Sequence, residues 1–163
     1  MKKVIVIGCP GSGKSTFSRE LHNKTALPLY HLDMMYWNED KTTVEKSVFL
    51  ERLNDAMAGD EWIIDGNYNR TIEMRLQQCD TVFLFDLPTE VCIQGATDRL
   101  GKGRYDLPWI EKELTPSLRQ SIEEFPFNSL PRIYELIAKY KKGKQVIVFK
   151  SREDVDEFLH SIS

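Results

Sequence analysis

Residues 8–16 read GCPGSGKST, directly after the apolar run VIVI at 4–7. An unbroken apolar run ending in glycine predicts a strand buried on both faces, as in a parallel sheet. The glycines after it permit backbone angles that a side chain would block, so successive N–H groups can turn into one concavity. Gly8, Gly13, Lys14 and Ser15 stand at the Walker A spacing G-x-x-x-x-G-K-[ST]. A helix starting near Lys14 adds the positive end of its dipole. Lys14 supplies a mobile charge for the β- and γ-phosphates, and the Ser15 hydroxyl is placed for Mg²⁺. The loop therefore predicts a site for a nucleoside triphosphate, with ATP and Mg²⁺ as its ligands. The nucleotide-binding set is Gly8, Pro10, Gly11, Ser12, Gly13, Lys14, Ser15 and Thr16.

The remaining sequence alternates strand and helix patterns. Strands are predicted at 3–8, 27–33, 61–66, 81–88 and 144–150. Helices are predicted at 14–23, with Phe17 and Leu21 facing inward, and at 43–58, 71–78 and 89–100. GKGRYDLP at 101–108 reads as a loop; more helix follows to Tyr140, interrupted near FPFNSLP, and residues 152–162 close the chain as a helix. Alternation of this kind implies an α/β fold with a parallel sheet covered by helices on both faces. No repeat or linker divides the 163 residues, which suit a single domain.

Composition removes several classes. No apolar run approaches the roughly 18 residues of a membrane helix. The short apolar run after Lys2 and Lys3 is cut off by the glycine loop, which rejects a signal peptide. Cys9, Cys79 and Cys92 form no C-x-x-C pair, so a disulfide framework or zinc site is not expected and a reducing cytoplasm is the natural setting. A net charge of −3 gives no overall attraction to nucleic acid, although KYKKGK at 139–144 is locally basic. A GTPase would carry N-K-x-D after a later strand; the only N-K pair here is in NKTA at 23–26. Motor ATPases pair acidic residues at the end of a Walker B strand, whereas VFLFDLP holds only Asp86, read as a helix cap.

GCPGSGKST, HLD at 31–33, WIIDGNYNR at 62–70 and DRLGKGR at 98–104 resemble the adenylate kinase-like small-molecule and nucleotide kinases. HLDMMYW, WIIDGNYNRTIEMRL and VIVFKSREDVDEFL are similar to the bacterial P-loop proteins labelled DNA topology modulation proteins, over nearly the whole chain. The resemblance implies a P-loop fold with a five-stranded parallel sheet of order 2-3-1-4-5, a substrate-binding helical insert at 34–60 and a lid region at 99–120. It implies that the γ-phosphoryl group passes to a small acceptor, such as a nucleotide or nucleoside. Asp33, at the end of the second strand, would act as base or orienter of the acceptor. Asp65 matches the aspartate of the kinases' D-G motif, which holds Mg²⁺ through water. Arg99 and Arg104 correspond to lid arginines closing over ATP. Arg70 and Arg119 are candidates for the acceptor phosphate.

The chain also departs from adenylate kinases. Asp65-Gly66 is followed by Asn67-Tyr68-Asn69-Arg70 without a proline, and MMYW at 34–37 replaces the arginine that grips AMP. Tyr36 and Trp37 read either as a stacking platform or as packing between helices and sheet. His31 reads as a strand histidine. Two alternatives stand beside the kinase reading: a nucleotide-gated protein acting on DNA or a partner, and a slow ATPase with water as acceptor. The choice between ATP and GTP, and between monomer and dimer, stays open.

Overall fold

The computed structural model describes residues 1–162. Five strands form one parallel sheet: β1 (Lys3–Gly8), β2 (Leu29–His31), β3 (Trp62–Asp65), β4 (Thr81–Phe85) and β5 (Gln145–Phe149). Their spatial order is β2-β3-β1-β4-β5, as expected. The chain puts its most apolar run at the centre, where Val4, Ile5, Val6 and Ile7 have no exposed surface. A central strand needs apolar side chains on both faces, and that requirement explains the unbroken pattern. His31 pairs in register with Asp65, Asp65 with Val6, and Val6 with Phe83. This alignment brings the first glycine of the loop, His31 and Asp65 to one edge of the sheet.

Eight helices cover the sheet among the described residues: α1 (Lys14–Thr25), α2 (Leu32–Tyr36), α3 (Lys46–Met57), α4 (Asn69–Gln78), α5 (Thr89–Asp98), α6 (Pro116–Asn128), α7 (Leu130–Tyr140) and α8 (Arg152–Ser161). Phe17 and Leu21 of α1 are buried, and Phe17 meets the rings of Phe83, Phe85 and Phe149 at 4.8, 5.4 and 5.3 Å. These edge-on contacts fasten α1, and with it the phosphate loop, to β4 and β5. No described helix is long and apolar enough to cross a membrane.

The structure corrects two local expectations and locates a third. The second strand stops at His31, and Asp33 lies in α2, where its carbonyl accepts from the Trp37 N–H at 3.0 Å. β2 is an edge strand whose only partner, β3, ends at Asp65, so beyond His31 a helical turn satisfies the backbone instead. The loop after α5 runs to Thr115, whose side chain caps α6 by accepting from the Leu118 N–H at 3.2 Å. The later helix breaks at Ser129, within the expected FPFNSLP segment, and α6 accommodates Pro126. Pro131 would clash with the carbonyl four residues back in a continuous helix, so α7 starts anew.

Candidate functional site

The phosphate loop is a closed turn between β1 and α1. Three donors converge on the Cys9 carbonyl: the Ser12 N–H at 3.2 Å, the Ser12 hydroxyl at 2.6 Å and the Lys14 ammonium at 3.0 Å. Gly11 has φ +81°, and a Cβ there would overlap the Cys92 carbonyl oxygen of α5. Only glycine meets both the backbone angle and the close approach. Burial holds Lys14 below the ordinary lysine value, against the opposing pull of Asp65 and Asp33. A desolvated ammonium of this kind is stabilised by any anion that enters.

Neighbouring elements brace the loop. The Asn67 amide donates to the Gly8 carbonyl at 2.6 Å and accepts from the Gly8 N–H at 2.9 Å. Asn67 is held by Arg75, a fully buried side chain of α4 that donates to the Asn67 carbonyl, to the Gly66 carbonyl at 2.9 Å and to the Thr71 hydroxyl at 3.2 Å. On the other side, Arg152 at the start of α8 donates to the carbonyls of Ser12 at 3.2 Å and Gly11 at 3.4 Å. Gly95 of α5 leaves room for this contact, since a Cβ there would meet both the Gly11 carbonyl and the Arg152 guanidinium.

A cleft of about 650 Å³ opens above the loop. Lys14, Ser15, Thr16, Asp33 and Asp65 all line it. Asp33 Oδ1 accepts from the Tyr68 hydroxyl at 2.5 Å. Burial raises the Asp33 carboxyl above the usual aspartate value; the Tyr68 hydrogen bond opposes this, and the charges of Asp106 and Asp65 add to it. Asp65 is buried at the end of β3 and receives His31 Nδ1 at 2.9 Å. Burial alone would lower His31, but the bond to Asp65 and the carboxylates around it hold its value above that of a free histidine.

Arg99 and residues 102–106, after α5, also line the cleft. Arg104 forks onto Asp106 at 2.9 and 2.7 Å and also donates to Glu111. Arg99 Nε lies 3.5 Å from Glu111 but makes no hydrogen bond, and it is one of two buried side-chain nitrogens without a partner among the described residues. Burial and the nearby Arg104 charge both lower the Arg99 value. Tyr105, though largely exposed, receives the Arg19 guanidinium 3.5 Å above its ring, which links this segment to α1.

The expected residues thus fall into two groups. Pro10, Gly11, Gly13, Lys14, Ser15, Thr16, Asp33, Asp65, Arg99 and Arg104 share the cleft, while Gly8 and Ser12 hold the loop's shape from beneath. Arg70 and Arg119 are outside it. Arg70 is exposed at the start of α4, and Arg119 pairs with Glu123 one turn along α6 at 3.0 Å. Asp86 is not a helix cap: Pro88 occupies that position, and Asp86 accepts from Tyr134 at 2.6 Å and from Lys150. Tyr36 packs edge-on against Phe49 and Tyr68 at 5.5 and 5.0 Å, and Trp37 against Trp109 at 5.2 Å, so both serve packing. Sequence reasoning missed Asn67, Tyr68, Arg75, Gly95 and Asp106 as site residues. Asn67 and Tyr68 had a signal in their place directly after the D-G pair; for Arg75 and Gly95 no local pattern exists.

The donor set suits a hard cation. Ser15 and Asp65 both offer oxygen to the cleft beside Lys14. Among the described residues no group of three His, Cys, Asp or Glu side chains forms an all-protein metal cage. Mg²⁺ is commonly held by one or two protein oxygens, with water and phosphates completing its shell.

No family model matches the chain, and no curated protein matches it by sequence. Solved structures do match its fold. A shikimate kinase from Bacteroides thetaiotaomicron superposes with a TM-score of 0.56 at 16% identity, covering 97% of this chain and 94% of its own. A sugar kinase from Janibacter sp. gives 0.57 at 18%, covering 99% and 91%. Deoxyadenosine kinase from M. mycoides, solved with bound dATP, gives 0.51 at 17%, covering 99% and 98%. The chain has a P-loop kinase-like fold.

Proposed function

We propose that this protein is an ATP-dependent kinase that transfers the γ-phosphoryl group of ATP to a small acceptor. The observation that carries the reading is the convergence of Lys14, Asp33, Asp65 and Arg99 in one cleft above a braced phosphate loop. Phosphoryl transfer needs positive charge around the moving group and a positioned acceptor, with no covalent enzyme intermediate. Lys14 leaves the Cys9 carbonyl for the β- and γ-phosphates, and the loop N–H groups and the α1 dipole hold the remaining charge. Arg99, which lines the cleft, adds guanidinium donors to the transferring oxygens. Ser15 and Asp65 would hold Mg²⁺, Asp65 through water, and the ion would neutralise phosphate charge there. Asp33 orients the acceptor hydroxyl and takes its proton, a role suited to a carboxylate whose basicity is raised by burial.

The fold neighbours support this reading in kind: the solved proteins are named as kinases of shikimate, a sugar and deoxyadenosine. Residues 34–60 are proposed as the acceptor-binding insert and 99–120 as the lid. The free thiols of Cys9, Cys79 and Cys92 are all buried and suit a cytoplasmic protein. The DNA-binding alternative rested on KYKKGK, where Lys139 pairs with Glu73 at 3.1 Å and Lys144 donates to the Cys79 carbonyl at 2.5 Å.

The test is ADP release from Mg-ATP against a panel of nucleosides, nucleotides and hydroxylated metabolites, with Lys14→Ala as the blank. The expected result is acceptor-stimulated release that falls at least about a hundredfold in the variant, as loss of a charge-stabilising donor does. Stimulated release unchanged by Lys14→Ala overturns the proposal.

A further inference from the structure

Cations and carboxylates both line the cleft. Lys14 and Arg152 sit at the phosphate loop, on the side where the nucleotide phosphates belong. Three carboxylates line the same cleft: Asp33 from α2, Asp65 from the end of β3 and Asp106 from the segment after α5. Asp106 is itself buried, lines the cleft with Asp33, and acts electrostatically on both Asp33 and His31. Arg99 belongs with the ATP phosphates in the kinase reading. Of the other cations that line the cleft, Arg19 stacks on Tyr105, Lys102 is exposed, and Arg104 is already neutralised by its two-pronged contact with Asp106 and by Glu111. Arg70 and Arg119 lie outside the cleft.

Resting on the kinase reading, we infer that the acceptor is an uncharged, hydroxyl-bearing molecule held by the Asp33 and Asp106 carboxylates, and not a phosphate monoester. A phosphate monoester calls for a free planar fork or a cluster of cations. Beside Asp33 and the paired Asp106 it would meet carboxylate oxygens instead, and gripping it with Arg104 would strip Asp106 and Glu111 of their partner. A hydroxyl is a donor, and a carboxylate is its natural acceptor. Tyr68 occupies Oδ1 of Asp33, and Oδ2 has no hydrogen-bond partner among the described residues, so one lone-pair face remains for an acceptor hydroxyl. Each oxygen of Asp106 takes one Arg104 N–H and keeps a second acceptor site. Uncharged sugars, polyols and nucleosides share this chemistry.

The experiment divides a small-molecule cell extract on an anion exchanger and adds the unretained and the retained pools separately to enzyme and Mg-ATP. Matched pairs follow: nucleosides with their monophosphates, and hexoses with their phosphates. Stimulation of ADP release by the unretained pool, and by the unphosphorylated member of a pair, is expected. Stimulation confined to the retained pool or to a phosphorylated member overturns the inference and leaves the kinase reading standing. Stimulation by neither pool overturns the kinase reading and the inference with it. With the acceptor so found, Asp106→Asn is expected to raise its KM at least tenfold with little change in the KM for ATP. A variant that melts at lower temperature but keeps the acceptor KM assigns Asp106 a purely structural role and overturns its part in holding the acceptor.

Discussion

The side-chain amide of Asn67 exchanges two hydrogen bonds with the backbone of Gly8, 2.9 Å to its N–H and 2.6 Å to its carbonyl. The contact couples the turn after β3 to the first glycine of the phosphate loop, 59 residues earlier in the chain. It satisfies both polar groups of Gly8 where the strand ladder runs out. Replacing Asn67 with alanine leaves both groups unpaired in a half-buried place, which costs about 1–3 kcal/mol. The expected result is a melting temperature lower by roughly 2–4 °C per kcal/mol, read by calorimetry, together with weaker ATP binding in titration. Unchanged melting and ATP affinity would show that the loop holds its shape without this clamp.

Asp33 and Tyr68 predict a specific pH response. Burial raises the Asp33 carboxyl, and the Tyr68 hydroxyl pulls it part of the way back by stabilising the charged form. Tyr68→Phe removes that stabilisation, so protonation of Asp33 sets in at higher pH. The acid limb of the kcat/KM profile should move upward in the variant. An acid limb that stays in place or moves down separates Asp33 from the step that controls turnover.

The same burial has a stability consequence. Because the folded-state value of Asp33 is raised, the fold binds its proton more tightly than the unfolded chain does. The carboxyl therefore favours folding in acid, and its contribution turns unfavourable as pH climbs past the unfolded value near 3.9 toward the folded one. Asp33→Asn should melt higher than the parent at neutral pH, by roughly 2–4 °C for each kcal/mol relieved, while losing turnover. Thermal scans at pH 4 and pH 7 check this, with the gain present only at the higher pH.

His31 works in the opposite sense. Its folded-state value is raised by the bond to Asp65, so its charge stabilises the fold fully below about 6.5 and stops doing so as pH rises through the folded value. His31→Gln keeps a donor for Asp65 and removes the charge. Its destabilisation should be largest in acid and shrink in alkali, as followed by urea melts across pH. NMR titration of the parent ring should give a value above that of free histidine.

Gly95 tests the packing of α5 on the loop. A methyl group there meets the Gly11 carbonyl and the Arg152 guanidinium. Gly95→Ala should cost about 1–3 kcal/mol through overpacking, and should lower ATP affinity at least tenfold by displacing the loop. Calorimetry and ATP titration read the two effects separately.

Among the residues of the site, the phosphate loop was legible because its chemistry is local. Gly8 to Ser15 carry strand end, turn and helix start within eight positions, and no distant residue is needed to recognise them. Arg70 and Arg119 show the limit of that reasoning. Both arginines suit a phosphate by type, but the structure turns one to solvent and pairs the other with Glu123.

By itself the sequence determined that the chain alternates strand and helix, that an apolar strand feeds a glycine turn, and that Lys14 and Ser15 follow at phosphate-binding spacing. Periodicity and backbone freedom are properties of neighbouring residues, so they can be read in one dimension. The tertiary structure alone decided that Arg75 lies buried beneath Asn67, that Arg152 reaches the loop, and that Asp106 closes on Arg104 above Asp33. Each depends on the distance between groups on different elements, and on how much water the fold removes from between them. Coulombic and hydrogen-bond energies depend steeply on both quantities. Spacing along the chain encodes neither.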